Sequence, residues 1–155
     1  MRKPLLCWDI FQEGLHRKMD FAKDLLMLQK IEQENKWHDH AATISSSLIW
    51  EGKVIIVTDV EQHILYATKN MFEMNGYILR EVIGKTPKIF QGEETEETVR
   101  KEIRSAISER ISFDKVITNY RKDGTIYRCH VEGYPVFDEH NRLVNFIAVE
   151  NTVKT

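Results

Sequence analysis

Asp123-Gly124 stands between two runs that alternate in polarity, Phe113 to Arg121 and Thr125 to Phe137. Such a pair between alternating runs is the strongest short-range signal of a β-hairpin, because glycine accepts the positive φ that a tight turn demands. A third run, Leu143 to Asn151, follows the polar turn Glu139-His140-Asn141. The spacing therefore predicts a three-stranded antiparallel meander at the C-terminal end, with side chains alternating between two faces along each strand.

Upstream, Val54 to Thr58 and Ile64 to Ala67 are rich in β-forming residues and flank the polar segment Asp59 to His63, which predicts a first hairpin. Thr68 is the expected N-cap of a short helix through Met74, closed by Asn75-Gly76, and Leu79 to Ile83 offers another helical turn. Glu94 to Ile107 places Val99, Ile103, Ala106 and Ile107 on one helical face, with acids in the first turns where the helix dipole favours them. Two strands, several short helices and three further strands give an α+β order.

Near the N-terminus, Phe11, Leu15, Met19, Ala22 and Leu26 recur at intervals of four, four, three and four, which predicts a helix carrying an apolar stripe. Lys30 to His40 is polar and is expected to be a frayed end or linker; Ala41 to Trp50 is expected to form a short helix leading into the sheet. The organisation expected is an amphipathic helical extension over 1–50 and a folded domain over 53–152. A chain of 155 residues carries one hydrophobic core comfortably.

Composition excludes several roles. Apolar residues make up 42% and charged residues 30%, which is globular rather than disordered. A net charge of −2, with bases and acids interspersed, gives no field to gather nucleic acid or an anionic membrane. No run reaches the ~20 apolar residues of a membrane span, and the start meets an acid too early for a signal peptide, so the cytosol is the expected location. Cys7 and Cys129 lack CxxC spacing, which argues against a disulfide framework or a zinc site. His38-Asp39-His40 is expected to be a solvated linker rather than a metal site, and Glu93, Glu94, Glu96 and Glu97 a charged helix start. No phosphate loop, nucleophile triad or HExxH motif is present, so no catalytic residue is nominated and no enzyme is expected.

Four segments carry a resemblance: Gly84-Lys-Thr-Pro-Lys-Ile-Phe-Gln-Gly92, Asn119-Tyr-Arg-Lys-Asp-Gly124, Tyr134-Pro-Val-Phe-Asp138 and Asn145-Phe-Ile-Ala-Val149. From about Lys53 to Thr152 the chain resembles the PAS family of sensory domains, in wording closest to the bacterial branch that includes flavin-binding PAS domains and LOV photoreceptors. The resemblance implies five antiparallel strands in the order 2-1-5-4-3, with short helices over one face enclosing a pocket. It also implies a signalling module that forms a homodimer, often through N-terminal helices, or that acts on a partner protein or a fused output domain.

In the LOV branch the Asn of the Asn-Tyr motif points at the ligand. Carrying that orientation to Asn119 turns Ile117 inward with it, then Tyr127, Cys129, Val131 and Gly133, and then Phe146, Ala148 and Glu150. The expected ligand pocket is therefore Asn119, Gln91, Cys129, Glu150, Ile117, Val131, Ala148, Phe146 and Met71. Val116, Thr118, Tyr120, Ile147 and Val149 fall on the opposite face, whose apolar part needs cover. The amphipathic segment from Phe11 to Leu28 is the expected cover, from the same chain or a twin, and its stripe Phe11, Leu15, Met19, Ala22 and Leu26 forms with Val116, Ile147 and Val149 the expected dimer or partner interface.

Pro87 takes the place of the photoactive cysteine of LOV domains, so the resemblance comes without the thiol needed for a flavin adduct. Asn119 and Gln91 match polar flavin contacts of that branch, whereas Cys129 stands where a second Asn would be and Glu150 where a Gln would donate to a flavin carbonyl. The expected function is a sensory or protein-interaction module with a pocket for an unidentified small ligand, or with none. The alternative is an FAD- or FMN-binding redox or light sensor without adduct chemistry. Haem is disfavoured, since Glu93 to Arg110 contains no His.

Overall fold

Five antiparallel strands form one sheet in the order β2-β1-β5-β4-β3 in the computed structural model, which describes residues 7–38 and 51–154, with side chains from Gln12 onward. The elements are α1 (Cys7–Asn35), β1 (Val54–Thr58), β2 (Ile64–Ala67), α2 (Met71–Asn75), α3 (Leu79–Val82), a 3₁₀ turn at Pro87–Phe90, α4 (Glu97–Glu109), β3 (Phe113–Tyr120), β4 (Ile126–Phe137) and β5 (Leu143–Thr152). The helix expected over Ala41 to Trp50 lies outside the described residues, as do Asp39 and His40. No helix among the described residues is long and apolar enough to cross a membrane.

The Asp-Gly signal holds in a slightly wider turn. Arg121 N–H bonds Thr125 O at 2.8 Å, Gly124 N–H bonds Arg121 O at 2.9 Å, and Gly124 supplies the positive φ of 88°. The β3–β4 register pairs Ile117 with Cys129 and Asn119 with Tyr127, so the inward set derived from alternation is shared across the strands. β1 is an inner strand, paired with β2 and β5, and every residue of it is buried. Val54 and Ile56 pack toward the front face with Ile117, Tyr127, Cys129 and Val131; Ile55 and Val57 pack toward the back with Ile147 and Val149.

The back is covered by α1, but by a different stripe from the one expected. Leu28 is buried, and Phe21, Leu25 and Ile31 pack beside it against Ile55, Val57, Tyr66, Ile147 and Val149. At 3.6 residues per turn, residues 15, 19, 22 and 26 lie roughly 150° around the helix from that row. Leu15, Met19 and Leu26 are accordingly 45%, 51% and 66% exposed, and Ala22 is exposed with them. The side chain of Phe11 lies outside the described part. Ile147 and Val149, expected in an interface, are sealed under α1 within the chain, while Val116 stays half-buried beyond its reach.

Polar contacts fix α1 in place. Asp24 is 4% exposed; Tyr66 Oη donates to its Oδ1 and Lys69 N–H donates to its Oδ2 at 3.1 Å. Over 30–38, the described part of the segment expected as a frayed end or linker, the helix continues to Asn35 and Lys36 turns the chain at φ 52°. Trp37 then bridges to Asp138 and donates Nε1–H to Asn145 Oδ1 at 2.7 Å. Asn145 in turn donates to Thr58 O at 2.9 Å, so the end of α1 is hydrogen-bonded through β5 to β1.

Two helix starts differ from expectation because a side chain is used by the sheet. Asn70, not Thr68, sits at the N-cap position of α2; the Thr68 hydroxyl accepts Ile55 N–H at 3.0 Å instead. α4 begins at Glu97 because Glu96 turns back to the β3 edge, where it accepts Thr118 N–H at 2.8 Å and Thr118 Oγ1–H at 2.9 Å and pairs with Arg128. Burial alone would raise its pKa, but these bonds together hold the carboxyl down at about 2. Just before it, Gly92 is a close approach: a Cβ there would lie 2.5 Å from the Tyr120 ring, and Tyr120 Oη accepts Glu94 N–H at 2.9 Å.

Candidate functional site

Between the front of the sheet, the 3₁₀ turn and α4 the chain leaves a cavity of about 400 Å³, within the range of small-molecule sites. Each wall follows from a local pattern. Strand alternation delivers Ile56, Ile117, Val131, Phe146 and Ala148 from the floor, and the helical spacing of Ile103 and Ile107 delivers the roof from α4. Pro87 starts the 3₁₀ turn, where its fixed φ suits the first helical position, and that turn contributes Phe90, with Gln91 just beyond it. Gly133 has a steric role: a Cβ there would meet the Phe113 ring at 2.2 Å, so the bare backbone lets that ring lie across β4.

Seven of the nine expected pocket residues line the cavity: Asn119, Gln91, Glu150, Ile117, Val131, Ala148 and Phe146. Met71 and Cys129 do not. Both are buried in the front-face core; Met71 packs in its interior, and Cys129 lies beside Glu150, donating its thiol to Oε2 at 3.6 Å. Alternation gave the face of Cys129 on β4 but could not give its depth; Met71 lies on α2, where strand alternation does not apply.

The cationic part of the wall was not anticipated. Lys88, Arg100 and Arg104 all reach the cavity, giving one side of a largely apolar hollow a positive character. The signal was available, since Arg100 and Arg104 are four apart and flank Ile103, on the face that carries Ile107. Arg100 donates Nη2–H to Gly92 O at 2.8 Å and pairs with Glu97 at 3.6 Å, but its buried Nε has no hydrogen-bond partner; nor has Nε2 of Gln62, another wall residue. Buried donors left unpaired are costly, and both belong to residues that face the hollow.

Glu150 dominates the titration of the site. Burial pushes its carboxyl up to about 7, only partly opposed by the Cys129 thiol. Cys129 is itself pushed well above the thiol range by burial and by Glu150, so it is an inert thiol rather than a nucleophile. Two groups of possible metal ligands are present among the described residues: Asp59-Glu61-His63, which reaches the cavity through Glu61, and Asp114-His130-Glu132, none of which lines it. In the second, Asp114 lies 2.6 Å from Nε2 of His130 and raises its pKa, while Nδ1 is 3.3 Å from Asn151 Oδ1. Both ring nitrogens thus face acceptors, an arrangement that suits an imidazolium ion pair.

Comparison with known proteins agrees with this geometry. Residues 53–152 match the family model of the PAS domain. The chain is 31% identical over 104 residues to a blue-light photoreceptor of Listeria monocytogenes, covering 65% of this chain and 41% of that protein. It is 38% identical over 88 residues to the protein TWIN LOV 1 of Arabidopsis thaliana, covering 56% of this chain and 22% of that one. The light-state structure of the blue-light photoreceptor Aureochrome1 LOV aligns with a TM-score of 0.63 at 27% identity, over 64% of this chain and 80% of that one. The chain thus spans less than half the length of these curated relatives.

Proposed function

Because the chain belongs to the PAS domain family and is LOV-like in its relatives, we propose that this sensory module reads a small molecule held in the front-face cavity and reports it through α1. The observation that carries this reading is the asymmetry of the sheet: one face is sealed by α1, while the other keeps a hollow of about 400 Å³ with amide and cationic groups in its wall. A ligand can shift such a module only by binding two packings unequally, and α1, clamped through Asp24 and Trp37, is the element whose packing would change.

The readout is a twin chain or a signalling partner, including an output domain elsewhere in the same protein. Leu15, Met19, Ala22 and Leu26 repeat at four, three and four, the spacing of a coiled-coil seam, and they face away from the sheet with no cover from the described residues. We place a second copy there. Val116 remains available at the uncovered end of the back face; Ile147 and Val149 do not.

A flavin is the ligand class favoured by a specific observation, the coexistence of Asn119 and Gln91 with Lys88, Arg100 and Arg104. The amides would meet a heterocyclic edge and the cations a phosphate tail such as that of FMN. When bound, a flavin would supply light absorption and redox chemistry. Pro87 lines the cavity without a thiol and Cys129 is not in its wall, so the reading is of a flavin sensor that forms no cysteinyl adduct. Absorbance of the desalted protein, with mass spectrometry of the small molecules released on denaturation, tests the proposal. A stoichiometric flavin supports the flavin reading and another stoichiometric molecule supports the general one. A protein that carries nothing and binds neither riboflavin nor FMN contradicts both.

A further inference from the structure

Glu150 is the buried carboxyl in the cavity wall, 4% exposed. In the sheet it sits between Val54 of β1 and Val131 of β4, two neighbours with nothing to offer a charge. Its hydrogen-bond partner is the Cys129 thiol at 3.6 Å, a weak donor. The other titratable group near it is Tyr127, also on β4 and held well above the phenol range by burial; no ion pair joins Glu150 to Lys88, Arg100 or Arg104 of the same cavity. Asp24, equally buried, has a hydroxyl and a backbone N–H instead. An ionised carboxylate in the position of Glu150 would be desolvated without compensation.

Resting on the reading of the cavity as a ligand site, we propose that Glu150 is held as a neutral acid and donates its O–H to a carbonyl-type acceptor on an uncharged ring of the ligand, so that ligand affinity is linked to a proton. The thiol occupies Oε2, and the acid O–H turns to the hollow. Loss of the proton exchanges a donor for a negative acceptor facing the ligand oxygen, and binding weakens. Glu150 is thus a specificity-determining residue: it selects acceptors over donors at low pH and stops doing so once ionised. Its burial-raised pKa near 7 brings this change into the range where cells operate.

The test uses the ligand-free protein first, then riboflavin as the probe. Side-chain carboxyl ¹³C NMR of Glu150 should show it protonated at pH 6; a carboxylate already ionised at pH 5.5 overturns the proposal whatever the cavity binds. Fluorescence titration should then show the riboflavin Kd rising by about tenfold per pH unit above the Glu150 transition, the slope for one linked proton. Glu150→Gln, which donates without titrating, should abolish that slope. A slope unchanged in Glu150→Gln, or absent from the wild-type protein, overturns the proposal. Failure of riboflavin to bind either protein at any pH, with Glu150 protonated, overturns the ligand-site reading for this class of molecule instead, and the donor role with it.

Discussion

Each face of the sheet buries an acid, Asp24 on the back and Glu150 on the front, and the two are treated differently. On the back, Asp24 is carried in by α1 and meets Tyr66 Oη and Lys69 N–H, and Phe21, Leu25, Leu28 and Ile31 of the same helix pack against the sheet. On the front, Glu150 lies in the wall of a cavity with a thiol for a partner. Burial raises the pKa of both. The first acid is satisfied by the fold and reads as architecture, a clamp that seats the helix. The second has only a weak thiol donor as a side-chain partner among the described residues, and a poorly satisfied carboxyl beside a void is the reason we place a ligand on that face.

The sharpest way to break this contrast is truncation on each side. Leu28→Ala on the sealed back should cost about 4 kcal/mol, near the upper part of the range for a buried leucine that leaves a cavity. Ile103→Ala, which only enlarges an existing hollow, should cost about 1 kcal/mol, since a half-buried side chain forfeits less transfer energy. Equal costs in urea unfolding would mean that the faces are packed alike.

The acids make the next prediction. A carboxyl whose folded pKa is raised keeps its proton where the unfolded chain has lost it, so its stabilising effect is complete below the unfolded pKa and disappears as pH rises through the folded one. For Glu150, with values of 4.5 and about 7, stability should fall by about 3 kcal/mol across that window. Glu150→Gln should flatten the decline. Asp24 adds a trend of the same sign, whereas Glu96, whose pKa is lowered to about 2, loses its contribution as pH falls from 4.5 toward 2. Chemical unfolding at intervals from pH 3 to 8 should therefore show maximal stability near pH 5; a steady rise to pH 8 would contradict the placement of both buried acids.

A smaller effect sharpens the back-face side. Tyr66→Phe removes one donor from buried Asp24 and should cost about 2 kcal/mol, with amide exchange accelerated in α1 more than in β3 and β4. Uniform acceleration would show that the clamp does not act on the helix in particular. The smallest stability effect belongs to the outward stripe of α1. Leu15→Glu with Met19→Glu should change monomer stability by under about 0.5 kcal/mol yet halve the mass seen by light scattering; an unchanged dimer would remove the second copy from that stripe.

Much of this was legible in the chain because strand physics has a period of two. Once Asn119 was set inward, alternation placed Ile117, Val131 and Ala148 on the front and Ile147 and Val149 on the back. Helices gave less. α1 carries two apolar rows, and spacing alone singled out the one that proved exposed, because Asp24 interrupts the row of Phe21, Leu25, Leu28 and Ile31 and gives that face a polar look. The Tyr66 hydroxyl, forty-two residues away, and the Lys69 N–H make a buried aspartate tolerable there. Trp37 was hidden for a similar reason, since its partner Asn145 is distant in sequence. Cys129 shows a further limit of periodicity, which assigns a side chain to a face and not to the first layer on it.

Methyl NMR of the protein titrated with riboflavin tests the central claim, that the front hollow and not the sealed back receives the ligand. Shifts confined to Ile56, Ile117, Val131 and Ile103 are the expected result. Shifts at Ile55, Val57 and Val149 while the front methyls stay still would contradict it.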